Sequence, residues 1–416
     1  MDKLKIRYMF GLLTPLFIVS CAGSDVAQTF APVEYFESMA VFTKMEDYTL
    51  APLEDVNGII LGVHLPQDQS PTGNQILKFE ELVGIPHLLY TNTMRLGAPP
   101  PELWLLEVIS TFRVPNIILT PNNPLSPFDT NLLYDTARYL GQFHVPIFLQ
   151  LFPEQRGNGY NPEDYIEFFR YAREVFRFLA PQVIFVFTIN EGDVLDFEQF
   201  YPGNEYVDWV AINMYKQVSH DGNPFSLGSM ARLDAFYHTI KRYKPIMINI
   251  GVSHFSTINH VYHPTEAGSA IFNFYENILR NYPRVGAIVY TNINTIMHPS
   301  ARNYMDNFAV TDNETVLGYY RRAISLAGFL GSSYVGDTSA DVAIRSPFVA
   351  LAKDTNLFIP LNTLVHDLNF EEAYLAQHFQ QYREEVGGNI FYNTQALLNM
   401  GININVDWYF GRIIIY

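Results

Sequence analysis

The residues best suited to chemistry in this sequence are two glutamates, each of which comes shortly after an apolar run. Glu154 follows residues 146–152, and Glu191 follows residues 183–188. A carboxyl group can donate a proton, accept one or attack an electrophilic carbon, so both positions could carry catalysis. There is no Gly-rich phosphate loop, Ser or Cys triad or zinc-type spacing, and we therefore expect no cofactor and no metal.

Other polar side chains follow these apolar runs or lie close to the two glutamates. We predict that six of them line a ligand-binding cleft: Tyr160, Asn190, Asn213, Tyr215, Asn249 and His254. His254 also begins a cluster with His260 and His263. The spacing of that cluster fits no helical pair, and no carboxylate or cysteine is interleaved, so we interpret these residues as loop histidines.

The elements that must position these residues are visible as a regular alternation. Eight short apolar runs cover residues 58–64, 87–90, 116–120, 146–152, 183–188, 209–213, 245–249 and 286–290. Each run is continuous, as in parallel strands that are buried on both faces. Helical patterns separate them, the clearest being residues 162–176, and a last helix lies near residues 314–327. The count predicts an α/β fold, a (β/α)8 TIM barrel over residues 51–330, whose strand ends gather the reactive side chains at one face.

The first fifty residues predict export and anchoring. Residues 1–20 combine a basic start with an apolar run that is too short to span a membrane, as in a secretory signal. The sequence before Cys21, the single cysteine, resembles the lipobox of bacterial lipoproteins. The resemblance implies an extracytoplasmic protein, anchored to the bacterial cell membrane through a lipid on Cys21, with residues 21–50 as a tether.

The last part of the chain has a different character. Residues 331–341 form a Gly/Ser-rich linker, and residues 342–416 predict a small α+β module. Within it, residues 357–365 are echoed by residues 390–398, and residues 404–416 close like a hairpin. The module resembles the stalk domain first named from the N-terminus of copper amine oxidases, which implies neither chemistry nor copper binding. An unrelated small α+β domain is the alternative.

Charge and composition restrict the partners. The formal net charge is −16, which repels phosphate backbones, so nucleic acid is not expected as a partner. A neutral polysaccharide is compatible with that charge. The 32 Phe and 27 Tyr can stack on sugar rings, although most of them are expected to fill a large core.

The barrel segment, over residues 55–328, resembles the family 26 glycoside hydrolases. The resemblance is carried by residues 145–154, residues 161–165, the segment Tyr201-Pro-Gly-Asn-Glu-Tyr-Val-Asp-Trp209 and the segment Lys244-Pro-Ile-Met-Ile248. Members of that family are retaining hydrolases of β-mannan and related β-glycans. The resemblance implies that Glu154 occupies the position of the acid/base glutamate at the end of strand four.

The sequence departs from the family at the second catalytic position. The family places its nucleophilic glutamate within two residues after the strand-seven motif, where this chain has Asn249 and Ile250. Neither side chain can form a glycosyl ester. The residues around the acid differ too, since Gln150, Pro153 and Arg156 replace the Arg, His and Asn of the family.

Three functional hypotheses follow. Loss of a nucleophile costs on the order of 10⁶ in turnover in a hydrolase of another class, which favours a polysaccharide-binding barrel that has lost hydrolysis. A working endo-β-glycosidase would need a displaced second carboxylate such as Glu191, and a separation of about 6.5–9.5 Å from Glu154 would permit inversion through water. The third hypothesis is a structural protein of the cell envelope.

Overall fold

The computed structural model describes residues 37–44, 50–55, 58–65, 75–218, 224–296, 305–331, 343–353, 356–408 and 412–415. The predicted signal segment, Cys21 and most of the predicted linker lie outside these described residues. In chain order the strands are β1 (Glu37–Lys44), β2 (Ile59–His64), β3 (Leu89–Arg95), β4 (Val114–Thr120), β5 (Ile147–Leu151), β6 (Val183–Asn190), β7 (Trp209–Gln217), β8 (Ile246–Ser253), β9 (Phe255–Ser256), β10 (Val261–Tyr262), β11 (Val285–Thr291), β12 (Phe329–Leu330), β13 (Ala343–Lys353), β14 (Asn356–Pro360), β15 (Arg383–Val386), β16 (Asn389–Asn393), β17 (Ile404–Asp407) and β18 (Arg412–Ile415). The helices are α1 (Gln75–Val83), α2 (Glu102–Ser110), α3 (Thr130–Leu140), α4 (Pro162–Leu179), α5 (Leu227–Ile240), α6 (Pro264–Asn281), α7 (Glu314–Ile324), α8 (Glu372–His378) and α9 (Thr394–Asn399).

Eight parallel strands close into a barrel, as the sequence predicts. Their order is β2-β3-β4-β5-β6-β7-β8-β11, and β11 pairs with β2 to complete the ring, with Ala287 opposite Ile60. Strands β7 and β8 extend several residues beyond the apolar runs that predicted them. The β7 extension, residues 214–217, is more polar because it forms part of the mouth of the barrel, at the C-terminal ends of the strands.

The two faces of each strand bury different cores. Met247 on β8 belongs to the cluster inside the barrel, which also contains Phe148 and Trp209. Ile248 and Ile250 belong to the larger cluster between the strands and the surrounding helices. Successive side chains of a strand point to opposite faces, so Asn249 points into the barrel while Ile250 points toward the helices.

The N-terminal end of the barrel is closed by residues 50–55. Trp209 Nε1 donates to the carbonyl oxygen of Pro52 at 2.9 Å. Below it, Arg284 Nε lies 2.8 Å from Glu54 Oε1, and both side chains are almost fully buried. The mouth at the opposite end is therefore the open end of the barrel.

A second sheet of seven strands has the order β15-β16-β14-β13-β1-β18-β17. Strand β1 pairs antiparallel with β13 and parallel with β18, so part of the segment expected as a tether is built into this sheet. Met39 and Val41 on β1 are buried in the core of this second unit. One isolated strand whose two partners lie about 300 and 370 residues away in sequence leaves no local signal of that pairing.

The repeated pattern in the last part of the chain has a structural counterpart. Strand β14 leads into a helical turn at Thr363–Asp367, and β16 leads into α9. Strands β17 and β18 pair antiparallel, in the place where the sequence predicts a hairpin. Among the residues that the structure describes, no helix has the length and apolar character needed to cross a membrane.

A buried histidine between the barrel and its helices makes stability depend on pH. His87 is fully buried, its Nε2 lies 2.8 Å from the Tyr320 hydroxyl, and burial lowers its pKa from 6.5 to about 4. In the unfolded chain His87 binds a proton as the pH falls below 6.5, whereas in the folded chain it binds that proton only near pH 4. The free energy of unfolding should therefore decrease by up to about 3 kcal/mol as the pH drops from about 6.5 to about 4. Urea unfolding measured at several pH values tests this, and His87→Gln should flatten the dependence.

Candidate active site

A network of uncharged side chains fills the barrel just below its mouth. Asn116 Nδ2 donates to Thr91 Oγ1 at 2.8 Å, and Gln150 Nε2 donates to Asn116 Oδ1 at 3.1 Å. Thr188 Oγ1 in turn donates to Gln150 Oε1 at 3.0 Å. All four side chains are buried. They come from four neighbouring strands, β3 to β6.

Asn249 continues this network across the barrel. Its Nδ2 donates to Gln150 Oε1 at 2.9 Å and to Asn213 Oδ1 at 2.8 Å, while Asn213 Nδ2 donates to Asn190 Oδ1 at 3.0 Å. Asn249 Oδ1 is buried and has no hydrogen-bond partner within the described part of the chain. We call the seven residues the amide network: Thr91, Asn116, Gln150, Thr188, Asn190, Asn213 and Asn249.

Glu154 stands above the amide network on the loop after β5. Its side chain is exposed, and its backbone lies in the left-handed region with φ at 67°, close to Phe152 with φ at 46°. Asn158 holds this turn, because both its backbone N–H and its Nδ2 donate to the Glu154 carbonyl oxygen at 3.0 Å. Non-glycine residues persist there only when their surroundings impose it, often at functional sites.

Two tyrosines lie within reach of the charge on Glu154. For both Tyr160 and Tyr215, burial raises the pKa of the phenol, and the nearby Glu154 carboxylate raises it further. Tyr215 is 42% exposed at the end of β7, so it can offer part of its ring to a ligand. Tyr160 is instead packed, with its ring stacked on Tyr165 at a centroid distance of 6.2 Å.

The strained backbone at Glu154 predicts that replacement of this residue by glycine stabilises the protein. Glu154→Gly should raise the free energy of unfolding by about 1 kcal/mol, because glycine adopts positive φ without the penalty that glutamate meets there. Denaturant unfolding measures the change. Glu154→Ala is the control, since alanine retains the Cβ, and equal stabilities of the two variants would contradict the prediction.

Glu191 lies at the end of β6, but its carboxylate is held by two cations. Its Oε1 accepts from Arg232 Nε at 2.9 Å, and its Oε2 accepts from Lys216 Nζ. Burial by itself would raise the pKa of Glu191, yet the bonds from Lys216 and Arg232 bring it below the usual range. The side chain is only 8% exposed. A carboxylate in this setting stays ionised and points at fixed partners, which suits a structural role better than attack on a sugar.

The predicted site residues are thus only partly brought together. Asn190, Asn213 and Asn249 share the amide network, with Glu154 and Tyr215 at the mouth. His254 follows β8 but is 1% exposed, its ring packs 5.5 Å from Tyr262, and burial lowers its pKa. No group of three His, Cys, Asp or Glu side chains among the described residues is placed to hold a metal ion.

Sequence reasoning missed most of the amide network and the histidine at the end of β2. Asn116, Gln150 and Thr188 are polar residues inside otherwise apolar strands, and this was the available signal. His64 lies opposite Thr291 in the β2–β11 pair, and burial lowers its pKa to about 4, so it is neutral at neutral pH. The barrel interior below the mouth is therefore polar but uncharged.

Comparison with known proteins extends the fold assignment. No family model and no curated protein matches the sequence. Solved structures do match: GH26C from a Muricauda species has a TM-score of 0.50 at 14% identity, over 68% of this chain and 89% of that one. The catalytic domain of a GH26 endo-β-1,4-mannanase from Bacillus sp. JAMB-750 gives 0.51 at 14% identity, over 69% and 91%. A GH26 β-mannanase from Bacteroides ovatus gives 0.51 at 11% identity, over 68% and 93%. The chain thus has a TIM barrel whose fold is similar to that of these family 26 structures.

Proposed function

We propose that this protein binds β-linked polysaccharide, mannan or a related glycan, at the barrel mouth without hydrolysing it by double displacement. The observation that carries the proposal is the buried amide Asn249, which occupies the inward-facing position at the end of the strand-seven motif. Retention needs two carboxyl groups about 5–5.5 Å apart. In the described part of the mouth, Glu154 has an uncharged network beneath it instead of a second free carboxylate.

The same groups are well suited to holding sugar. Amides and hydroxyls donate to and accept from sugar hydroxyls, and Asn190 is a partly exposed member of the amide network that a sugar could reach. The partly exposed Tyr215 ring gives a surface against which an apolar sugar face can pack. Binding of a neutral ligand also avoids the repulsion that the net charge of −16 would impose on an anion.

A second candidate is an active endo-β-glycosidase with Glu154 as the acid/base and a displaced second carboxylate. The strained backbone at Glu154 favours it, because such strain is often retained at catalytic positions. The double ion pair of Glu191 weighs against that residue as the displaced group.

The experiment that separates the two uses manno- and gluco-oligosaccharides with the parent protein, Glu154→Gln and Glu167→Gln. Glu167 is an exposed residue of α4 and serves as the matched control. We expect calorimetric binding by the parent and the control, weaker binding by Glu154→Gln, and no shorter sugars by chromatography. Release of products by the parent but not by Glu154→Gln would overturn the non-hydrolytic proposal.

We further propose that the barrel is displayed at the cell surface by a lipid on Cys21 and by the second sheet acting as a stalk. Two contacts support this arrangement. Strand β1, the described element nearest to Cys21 in sequence, belongs to the second sheet. That unit contacts the barrel end opposite the mouth, where Arg242 Nη2, in the turn between α5 and β8, donates to Asn369 Oδ1 at 2.5 Å. The mouth would then point away from the membrane. Metabolic labelling with palmitate, lost in Cys21→Ser, tests the anchor.

A further inference from the structure

An open groove on the flank of the barrel lies apart from the mouth. It has a volume of about 600 Å³ and runs between α5, α6 and α7. Its lining combines polar residues of α6, namely Thr265, Ser269 and Asn273, with the aromatic residues Phe225, Phe274 and Tyr319. Clefts of several hundred Å³ that mix aromatic surface with a few polar groups are typical ligand sites.

The polar residues form a straight row. Thr265, Ser269 and Asn273 are spaced by four residues, so they project from one face of α6 over about 12 Å. Helix α6 follows β8 and its short hairpin, so the row starts near the mouth end of the barrel and descends its side. A row of this length can follow an extended chain.

These side chains are not engaged by the protein itself. Helical Thr and Ser hydroxyls commonly donate to the carbonyl four residues earlier, as Thr136 does to Leu132 and Thr239 does to Ala235. The hydroxyls of Thr265 and Ser269 make no such bond, and the Asn273 amide also has no partner, within the described residues. Three neighbouring donor and acceptor groups are therefore available to a ligand.

The aromatic side of the groove is rigid. Phe225 and Phe274 stack with centroids 4.3 Å apart at an angle of 23°. The ring of Tyr319 lies against Gly268 of α6, where a Cβ would come within 2.5 Å of Tyr319 Cδ2. The close contact between this ring and the backbone of Gly268 limits the movement of the ring. Preorganised aromatic surface lowers the entropic cost of binding.

The charge of the lining narrows the ligand class. Glu266 is the one charged residue among the described residues that line the groove, and the chain carries a net charge of −16, so an anion is disfavoured. A purely apolar ligand would leave the hydroxyl and amide groups of α6 buried without partners. A chain of neutral sugars satisfies both constraints, since its hydroxyls can pair with α6 while an apolar face packs against the partly exposed ring of Tyr319.

We infer that this flank groove is a second binding site, which takes a stretch of neutral polysaccharide independently of the mouth. The site would hold a polymer along the side of the barrel whether or not the mouth is occupied. The inference holds whether or not Glu154 takes part in hydrolysis.

Affinity electrophoresis through gels that contain glucomannan, galactomannan, mixed-linkage β-glucan or xylan tests the inference. The double variant Ser269→Ala/Asn273→Ala removes two polar groups without threatening the helix, because alanine favours it. We expect roughly tenfold weaker retardation by at least one polymer, whereas Asn131→Ala, an exposed change on α3, should have no effect.

Two further results separate the groove from the mouth. Tyr215→Ala changes only the mouth and should leave the groove-dependent retardation intact. Combining it with the double variant should abolish the retardation that remains. Equal retardation of the parent and the double variant in all four polymers, or no retardation of the parent in any of them, would overturn the inference. Binding at the groove without binding at the mouth would contradict the proposed function and leave the groove inference standing.

Discussion

Asn249→Asp should destabilise the protein by about 3 kcal/mol at neutral pH, although the two side chains have nearly the same shape. Asn249 Nδ2 donates to Gln150 Oε1 and to Asn213 Oδ1, so an aspartate oxygen would face two acceptors. Neither acceptor can turn cheaply. Gln150 Nε2 is already bonded to Asn116 Oδ1, and Asn213 Nδ2 is bonded to Asn190 Oδ1.

The pH dependence of this loss has a definite sign. Burial and the facing acceptors should raise the pKa of the new carboxyl above its unfolded value, so the folded variant binds a proton more tightly than the unfolded chain. The deficit relative to the parent should then be smaller near pH 4 and grow as the pH rises. Urea unfolding at pH 4.5 and pH 7 measures it, with the exposed change Asn131→Asp as control. An unchanged free energy of unfolding at pH 7 would show that the network rearranges freely.

The expected cost of Asn249→Asp also bears on the proposed loss of hydrolysis. A nucleophile cannot be restored at this strand by a single substitution, because Asn249 sits among acceptors and Ile250 faces the helices. Ile250→Glu would bury an unpaired charge in the largest core and should unfold the barrel. Under the proposed function, the amide network takes the place of a catalytic pair.

Glu191→Gln should also cost about 3 kcal/mol of folding free energy, the lower end of what breaking a buried ion pair costs. The change leaves Lys216 and Arg232 without their shared negative charge. Lys216 is only 15% exposed and suffers most, whereas Arg232 is 42% exposed and can recover contact with water. Thermal and urea unfolding at neutral pH measure the loss.

The matched control is Glu174→Gln, whose partner Arg177 is more than half exposed. Removal of that surface pair should cost no more than about 0.5 kcal/mol. If Glu191 were instead the displaced catalytic carboxylate, Glu191→Gln would keep the stability of the parent and abolish release of sugar. That outcome would revive the active glycosidase as the function.

The local sequence was sufficient to predict the barrel and to place Glu154 at the end of one of its strands. Eight continuous apolar runs separated by helical patterns leave few arrangements other than a closed parallel barrel, and all eight became strands. Glu154 was identified because the C-terminal ends of parallel strands must meet at one face, whatever the details of packing. Both inferences depend on periodicity, which is a local property.

Three features were decided only by the tertiary structure. The amide network joins residues as far apart as Gln150 and Asn249, and polar side chains on different strands reveal nothing of their pairing until the barrel closes. The sequence shows Glu191 only as an acid that follows a strand, and its ion pairs with Lys216 and Arg232 are seen only in the structure. The sequence predicts a tether over residues that include β1, and only the structure shows that β1 pairs with β13 and β18. In each case the partner is distant in sequence, and the contact forms only when the whole chain has folded.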